Sequence, residues 1–264
     1  MLKTLSFALF IALGGIFAFD RLEREMVYPF DATRVDPRDI GLKLDEEIFE
    51  SGGKRLVLWR RSAQPGKPTI LYFHGNAGNL AARAGRFQRF LERGYGLVAL
   101  AYRGSSGSEG SPSEKYLAFD AARLLKRMGN YASGQVIIYG ESLGSAVALA
   151  AIDRAGTQPD ALVLEAPFTT VREVALTAYP QLEPLIDRMK SKWNSLARIS
   201  ETTAPLLILH GARDELIPID MGRQLFAAAP STEKRLLEVE GGHHTDLWRS
   251  DVLPVLWRFI DKRR

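Results

Sequence analysis

From about residue 44 onward the chain alternates short, unbroken apolar runs with stretches of helical periodicity. The runs are TILYFH, GLVALAYRG, QVIIYG, ALVLEAP, PLLILHG and KRLLEVEG. Between and after them fall NLAARAGRFQRFLERG, SEKYLAFDAARLLKRMG, SLGSAVALAAIDRAG, DMGRQLFAAAP and DLWRSDVLPVLWRFIDK. A strand that is apolar at every position must be covered on both faces, and the intervening helices supply that cover. The pattern therefore predicts an α/β chain with a mainly parallel sheet. EEIFES and KRLVLWRR, separated by Gly52-Gly53, read as an antiparallel hairpin at one edge. Ser113 is placed to cap the helix that follows it. Residues 168 to about 200 break the rhythm with helical patches and no strand, and read as a small helical cap insertion above the sheet.

The 264 residues suffice for a large single core. The formal charge of +4 is mild, and basic residues interleave with acidic ones, as in RLEREM, so no basic stripe suggests a nucleic-acid partner. The chain has no Cys, which removes disulfides, thiolate nucleophiles and Cys-ligated metals from consideration.

The N-terminus is different in kind. An uncharged run from Leu5 to Phe19 follows Lys3 and precedes Asp20 and Arg21. It is short for a spanning helix of ~20 residues and long for a signal core of about 7–15. Phe17 and Phe19 crowd the positions a cleavage site would use. Residues 1–25 are accordingly read as an uncleaved membrane anchor, with a signal segment as the alternative. Residues 26–43, with two Pro and several turn residues, are read as a linker, and 44–264 as the folded domain. The expected location is a bacterial inner membrane with the folded domain in the periplasm, although the positive residues on the two sides of the run are nearly balanced.

Gly140-Glu141-Ser142-Leu143-Gly144 matches G-x-S-x-G, at the junction of a predicted strand and a predicted helix. The glycines let strand and helix pass closely while Ser142 stands exposed at the apex. A Ser hydroxyl needs a base. Of the four His residues, His74 and His210 end apolar strands and read as packing residues. His243 and His244, in VEGGHHTDL after the last strand, are the candidates, and His243 is preferred over His244. Asp214, in HGARDELIP, is the expected orienting acid, ahead of Glu165, Glu215 and Asp246. An oxyanion hole needs two backbone N–H groups. Leu143 is expected to supply one and Asn76 the other, with Ala77 as the second choice. The Ser- and Gly-rich YRGSSGSEGSPSE reads as a structural loop in which Arg103 has an acidic partner, and Trp248 and Trp257 read as core.

FHGNAGN, AYRGSSGSEGSPSE, YGESLGSAVA, LEAPFT, ILHGARDELIP and GGHHTD occur in order over residues 69 to 246. In this the chain resembles the α/β-hydrolase superfamily, and within it the membrane-tethered serine hydrolases of the ABHD13/ABHD17 type and their bacterial relatives. The resemblance implies an α/β-hydrolase fold with an eight-stranded type of sheet and a Ser–Asp–His order of catalytic residues. Such relatives often read Gly-His-Asn-Asp where this chain reads Gly242-His243-His244-Thr245-Asp246, and alignment on the first His selects His243.

The expected activity is hydrolysis of carboxylic esters or thioesters through an acyl-enzyme, with Ser142, Asp214 and His243 as the triad and no metal or cofactor. The expected partners are a small or lipid-like acyl ester and, through the anchor, acylated protein at a membrane. A serine aminopeptidase, with Glu141 or Glu165 holding the substrate amine, is the enzymatic alternative. A non-catalytic tethered binding module is the other.

Overall fold

The computed structural model describes residues 19–263. An eight-stranded sheet has the order β1-β2-β4-β3-β5-β6-β7-β8. Its strands are β1 (Asp45–Ser51), β2 (Lys54–Arg61), β3 (Thr69–Phe73), β4 (Gly96–Leu100), β5 (Val136–Glu141), β6 (Ala161–Glu165), β7 (Leu206–Gly211) and β8 (Lys234–Val239). The first two form the expected antiparallel edge hairpin, and β2 also runs antiparallel to β4. From β4 to β8 every pairing is parallel.

Side chains alternate between the two faces along each strand. On β5, Ile138 joins Leu71, Leu162 and Ile208 in one core, while Ile137 and Tyr139 join Ile70, Tyr72 and Leu207 in the other. The first core is closed by α3 (Glu114–Leu125), α4 (Leu143–Ala155) and α8 (Ile219–Ala228), and the second by α2 (Ala84–Glu92) and α9 (Leu253–Asp261). Helix α4 is buried along its length from Leu143 to Ile152, which explains a sequence with no polar face. Ser113 caps α3 as expected, its side chain accepting a hydrogen bond from the N–H of Tyr116. Residues 168–200 carry short helices, among them α5 (Val171–Ala178), α6 (Glu183–Ile186) and α7 (Ser195–Ile199), and no strand.

Chain order reverses at β3, whose neighbours are β4 on one side and β5 on the other. In open parallel sheets such a reversal leaves a crevice beyond the carboxyl ends of the strands. The loops after β3 and β5 carry Asn76 and Ser142.

The N-terminal expectations need correction where they can be compared. Residues 1–18, which carry most of the expected anchor, lie outside the described residues. Residues 19–27 are helical (α1), and Glu23 is buried, its carboxylate accepting hydrogen bonds from the N–H groups of Lys190 and Ser191 at 2.9 and 2.7 Å. Residues 19–27 thus pack into the folded body. Among the described residues no helix is long and apolar enough to cross a membrane. Nor are residues 26–43 a loose linker. Val27, Tyr28 and Leu42 are buried, and Phe30 makes a parallel bridge to Gly78. Aromatic side chains at the start of this stretch, which turn residues elsewhere in it obscured, give it surface to bury.

The Ser-rich loop after β4 is structural, as expected. Ser106 Oγ accepts from the N–H of Leu80, and Ser108 Oγ accepts from Val57 N–H while donating to the Ala101 carbonyl. Arg103 has its acidic partner: two of its nitrogens donate to Asp120 at 2.7 and 2.9 Å, and both side chains are buried. Removing one partner of a buried pair strands the other charge, at about 3–5 kcal/mol. Asp120→Ala is therefore expected to lower Tm by roughly 10 °C. Asp251→Ala, which breaks an exposed pair with Arg249, is expected to move Tm by no more than about 2 °C. Thermal melts of both variants check this.

His74 packs at the end of β3 with its ring 4.1 Å from that of Tyr102. Burial, reinforced by the nearby Arg83 guanidinium, pushes its pKa down from 6.5 to about 3. The folded chain keeps a neutral imidazole where an unfolded chain takes up a proton, so the fold is penalised as pH falls from 6.5 toward 3, by on the order of 4 kcal/mol. The full stability is present above pH 6.5. His74→Gln is expected to flatten the stability profile between pH 6.5 and 4.5. Denaturant melts across that range check it, and an unchanged slope contradicts it.

Candidate active site

Ser142 occupies a strained position at the seam of β5 and α4, with φ 52° and ψ −114°. For a non-Gly residue this conformation costs about 1–3 kcal/mol and persists only when its surroundings enforce it. Two sets of contacts do so here. The Ser142 N–H donates to the Glu165 carbonyl at 2.8 Å, and Ser145 Oγ donates to the Gly140 carbonyl at 2.8 Å. The two glycines of the motif are the second constraint. A Cβ on Gly144 would sit 1.9 Å from the carbonyl oxygen of Phe73, and one on Gly140 would sit 2.6 Å from the Cα of Ser145. Helix α4 thus starts against the end of β3, and the space for any side chain is absent.

Asp214 follows β7 and is held by its own turn. Its Oδ1 accepts from the N–H groups of Leu216 and Ile217 at 3.0 and 2.8 Å. Burial pushes this carboxyl up, but the hydrogen bonds from His244 and Ile217 and the nearby His244 and His210 rings outweigh it, so its pKa is lowered overall.

The structure brings His244, not His243, to this pair. His244 Nδ1 lies 2.8 Å from Asp214 Oδ2, and its Nε2 lies 3.1 Å from Ser142 Oγ. His243 is exposed, and its backbone N–H donates to Asp246 Oδ1 at 2.7 Å. The reason lies in the two glycines before it. The carbonyl of Gly242 accepts from the N–H of Arg213 at 2.8 Å, and a Cβ on Gly211 would meet that carbonyl oxygen at 2.4 Å. The Asp214 and His loops are stitched together at Gly242, the His243 side chain is turned to solvent, and the next residue faces the site. Asp246, three residues after His243, is the local signal: a short acid there closes a turn around the first His.

His74 and His210 are packing residues, as their strand-end positions suggested, and both are fully buried. His210 Nε2 donates to the Ile217 carbonyl at 2.8 Å, and burial lowers its pKa.

The first oxyanion candidate, Leu143, begins α4, where unpaired N–H groups and the helix dipole favour negative charge. Asn76 and Leu143 line the same cavity as Ser142. The Ala77 carbonyl accepts from Arg83.

Sequence reasoning placed Glu141 and Glu165 near the site as free acids, and the structure engages both. Glu141 accepts from Arg83 Nη2 at 3.0 Å and from Tyr72 Oη at 2.7 Å. Glu165 accepts from Arg86 Nη1 at 2.7 Å, from Trp248 Nε1 at 2.9 Å and from Tyr139 Oη. Burial raises the Glu141 carboxyl, but Arg86 and Arg83 prevail and bring its pKa down to about 2. Trp248 therefore does more than pack: it donates to Glu165 and lies under the Arg86 guanidinium.

Above Ser142 opens a cavity of about 290 Å³. Its walls are almost wholly apolar, with Phe168, Val171, Val174, Ile186 and Met189 from the insertion and Ile217 from the Asp214 turn. Among the described residues, Glu23 is the one acid in its lining.

Comparison with known proteins identifies the family. The family described as serine aminopeptidase, S33 (Hydrolase_4) matches residues 64–197 and 182–248. An uncharacterized Mycobacterium tuberculosis protein, Rv2307c, is 32% identical over 261 residues, covering 95% of this chain and 91% of its own. The rat lysophosphatidylserine lipase ABHD12 is 32% identical over 238 residues, which span 80% of this chain but 60% of that protein. Among solved structures, the Pyrococcus furiosus esterase Pf2001 superposes with a TM-score of 0.70 at 15% identity, covering 89% of this chain and 96% of its own. The chain belongs to the serine aminopeptidase S33 (Hydrolase_4) family of α/β-hydrolases and is a serine hydrolase.

Proposed function

We propose that this hydrolase cleaves carboxylic esters or thioesters of acyl chains, with Ser142 as nucleophile, His244 as general base and Asp214 as the group that orients it. The observation that carries the reading is the continuous hydrogen-bond chain Asp214–His244–Ser142, at 2.8 and 3.1 Å, beneath an apolar cavity. His244 Nε2 takes the Ser142 proton as Oγ attacks the acyl carbonyl. Asp214 holds Nδ1–H and stabilises the imidazolium. The N–H groups of Leu143 and Asn76 receive the oxyanion, each contributing about 3 kcal/mol to the barrier reduction. The leaving group takes the proton from His244, and water activated by the same ring clears the acyl-enzyme.

Ester cleavage is favoured over aminopeptidase activity by the state of the carboxylates. A substrate ammonium needs a free anion near the nucleophile. Glu141 and Glu165 are already neutralised by Arg83 and Arg86, and Glu23 is bonded to two backbone N–H groups. The apolar cavity instead suits an acyl chain. The likeness to a lysophosphatidylserine lipase points the same way, toward single-chain lipid esters.

The test is hydrolysis of a p-nitrophenyl ester series from acetate to hexadecanoate. Ser142→Ala and His244→Ala are expected to lower kcat by roughly a thousand-fold or more, and His243→Ala to stay within about two-fold of the unmodified chain because its side chain faces solvent. Equal loss in both His variants would overturn the assignment of the base. A second assay, release of naphthylamine from aminoacyl-naphthylamides, is expected to show little turnover. Robust release there without ester cleavage would overturn the choice of substrate class.

A further inference from the structure

Helix α1 enters the cavity from outside the α/β core. Phe19, Leu22, Glu23, Met26 and Val27 all line it. Their spacing of three, four, seven and eight residues places them on one helical face. The opposite face carries the exposed Arg21–Glu25 pair at 2.8 Å. The helix is not loosely laid against the body. The Glu23 carboxylate accepts from the N–H groups of both Lys190 and Ser191, Tyr28 Oη lies 3.0 Å from Ser191 Oγ, and Trp193 Nε1 donates to Tyr28 Oη at 2.9 Å. These bonds fix α1 to the end of the cap insertion.

Leu22 and Met26 stand one helical turn apart and are 54% and 53% exposed. Across the cavity Leu182 and Leu185 are also exposed. Ser142, at the inner end, is only 8% exposed. The cavity therefore runs from a buried nucleophile to an apolar margin built by α1 on one side and the cap on the other. Such a margin has no role in the triad and exposes apolar side chains that a core would bury.

We propose that α1 is a specificity-determining wall of the acyl site, with Leu22 and Met26 covering the distal methylenes of a long acyl chain and Glu23 as the positioning residue that holds the wall in place. The substrate class is a long-chain monoacyl ester or thioester, whose short-chain counterparts end before they reach α1. This rests on the ester-hydrolase reading above.

The experiment uses the full chain and the same p-nitrophenyl series. Leu22→Gln/Met26→Gln is expected to lower the ratio of kcat/KM for dodecanoate to that for acetate by ten-fold or more, with the change in KM. Glu23→Ala is expected to act in the same direction by releasing the helix. A ratio within two-fold of the unmodified chain, in variants whose melting and circular dichroism show them folded, overturns the proposal. A second arm reads the wall without turnover. In a Ser142→Ala background, dodecanoic acid is titrated against a bound fluorescent fatty acid, with and without the Leu22 and Met26 changes. Weakening by ten-fold or more supports the wall, and equal displacement overturns it. If the unmodified chain cleaves no ester of any length, the ester reading falls, and the displacement arm still decides whether α1 contacts an acyl chain.

Discussion

Arg83 reaches two parts of the backbone that the proposed chemistry requires to be in register. Its guanidinium donates to Glu141, the residue before Ser142, and to the carbonyls of Ala77 and Asn79 in the loop after β3. Arg86, one turn further on, donates to Glu165 at 2.7 Å and pairs by charge with Glu141 at 3.6 Å, at the ends of β6 and β5. Two carboxylates, Glu165 buried and Glu141 partly buried, lie side by side here, on paired residues of adjacent strands. Unneutralised, they would repel one another in a medium that screens poorly. With both arginines present the charges balance, and Tyr72, Tyr139 and Trp248 take up further lone pairs. Breaking a buried pair of this kind is far more damaging than its absence would be. The network thus holds the Asn76 loop and the nucleophile seam at fixed separation, which is what a preorganised oxyanion site demands.

Close backbone approach supplies the rest of that rigidity. Gly144 against Phe73 and Gly211 against Gly242 are contacts at which any Cβ would overlap a carbonyl oxygen. One contact seats α4 on β3, and the other seats the His loop on β7. Together they place three loops from distant parts of the chain within hydrogen-bond reach of one another. The strain at Ser142 is stored against this frame, because its own N–H and the side chain of Ser145 are bonded to strand carbonyls on both sides.

Much of this was legible in the residues, for identifiable reasons. Strands buried on both faces, such as TILYF and ALVLE, leave no ambiguity about a covered parallel sheet. The elbow was legible because steric demand at Gly140 and Gly144 dictates residue type directly. Asp214 was legible because its place after β7 and its Asx turn are both local. The base was harder. Whether His243 or His244 faces inward depends on how Gly242 docks on Gly211, thirty-one positions away, and the one local cue, the Asp246 turn around His243, is short and easily passed over. The same holds for α1. Nothing local in FDRLEREMV marks Glu23 for burial; it is buried because its partners are the N–H groups of Lys190 and Ser191, which only the folded cap brings near. Glu141 and Glu165 looked like available acids because their arginines arrive from α2 and the turn before it.

Those arginines also bear on how far a family description reaches. An S33 aminopeptidase and an esterase can share the fold, the elbow and the order of catalytic groups, since these serve acyl transfer in general. What separates them is whether an unpaired anion waits near the nucleophile to hold a substrate ammonium. Here the carboxylates closest in sequence to the elbow are spent on holding the frame, and Glu23, the one acid among the described residues lining the cavity, is spent on holding α1. An ammonium entering this cavity would shed its water without gaining a free counter-charge, whereas an acyl chain loses only ordered water from an apolar surface. On the proposed reading, the same arrangement that stabilises the site selects against the amine, and the discrimination resides in which carboxylates are already bonded, not in the triad.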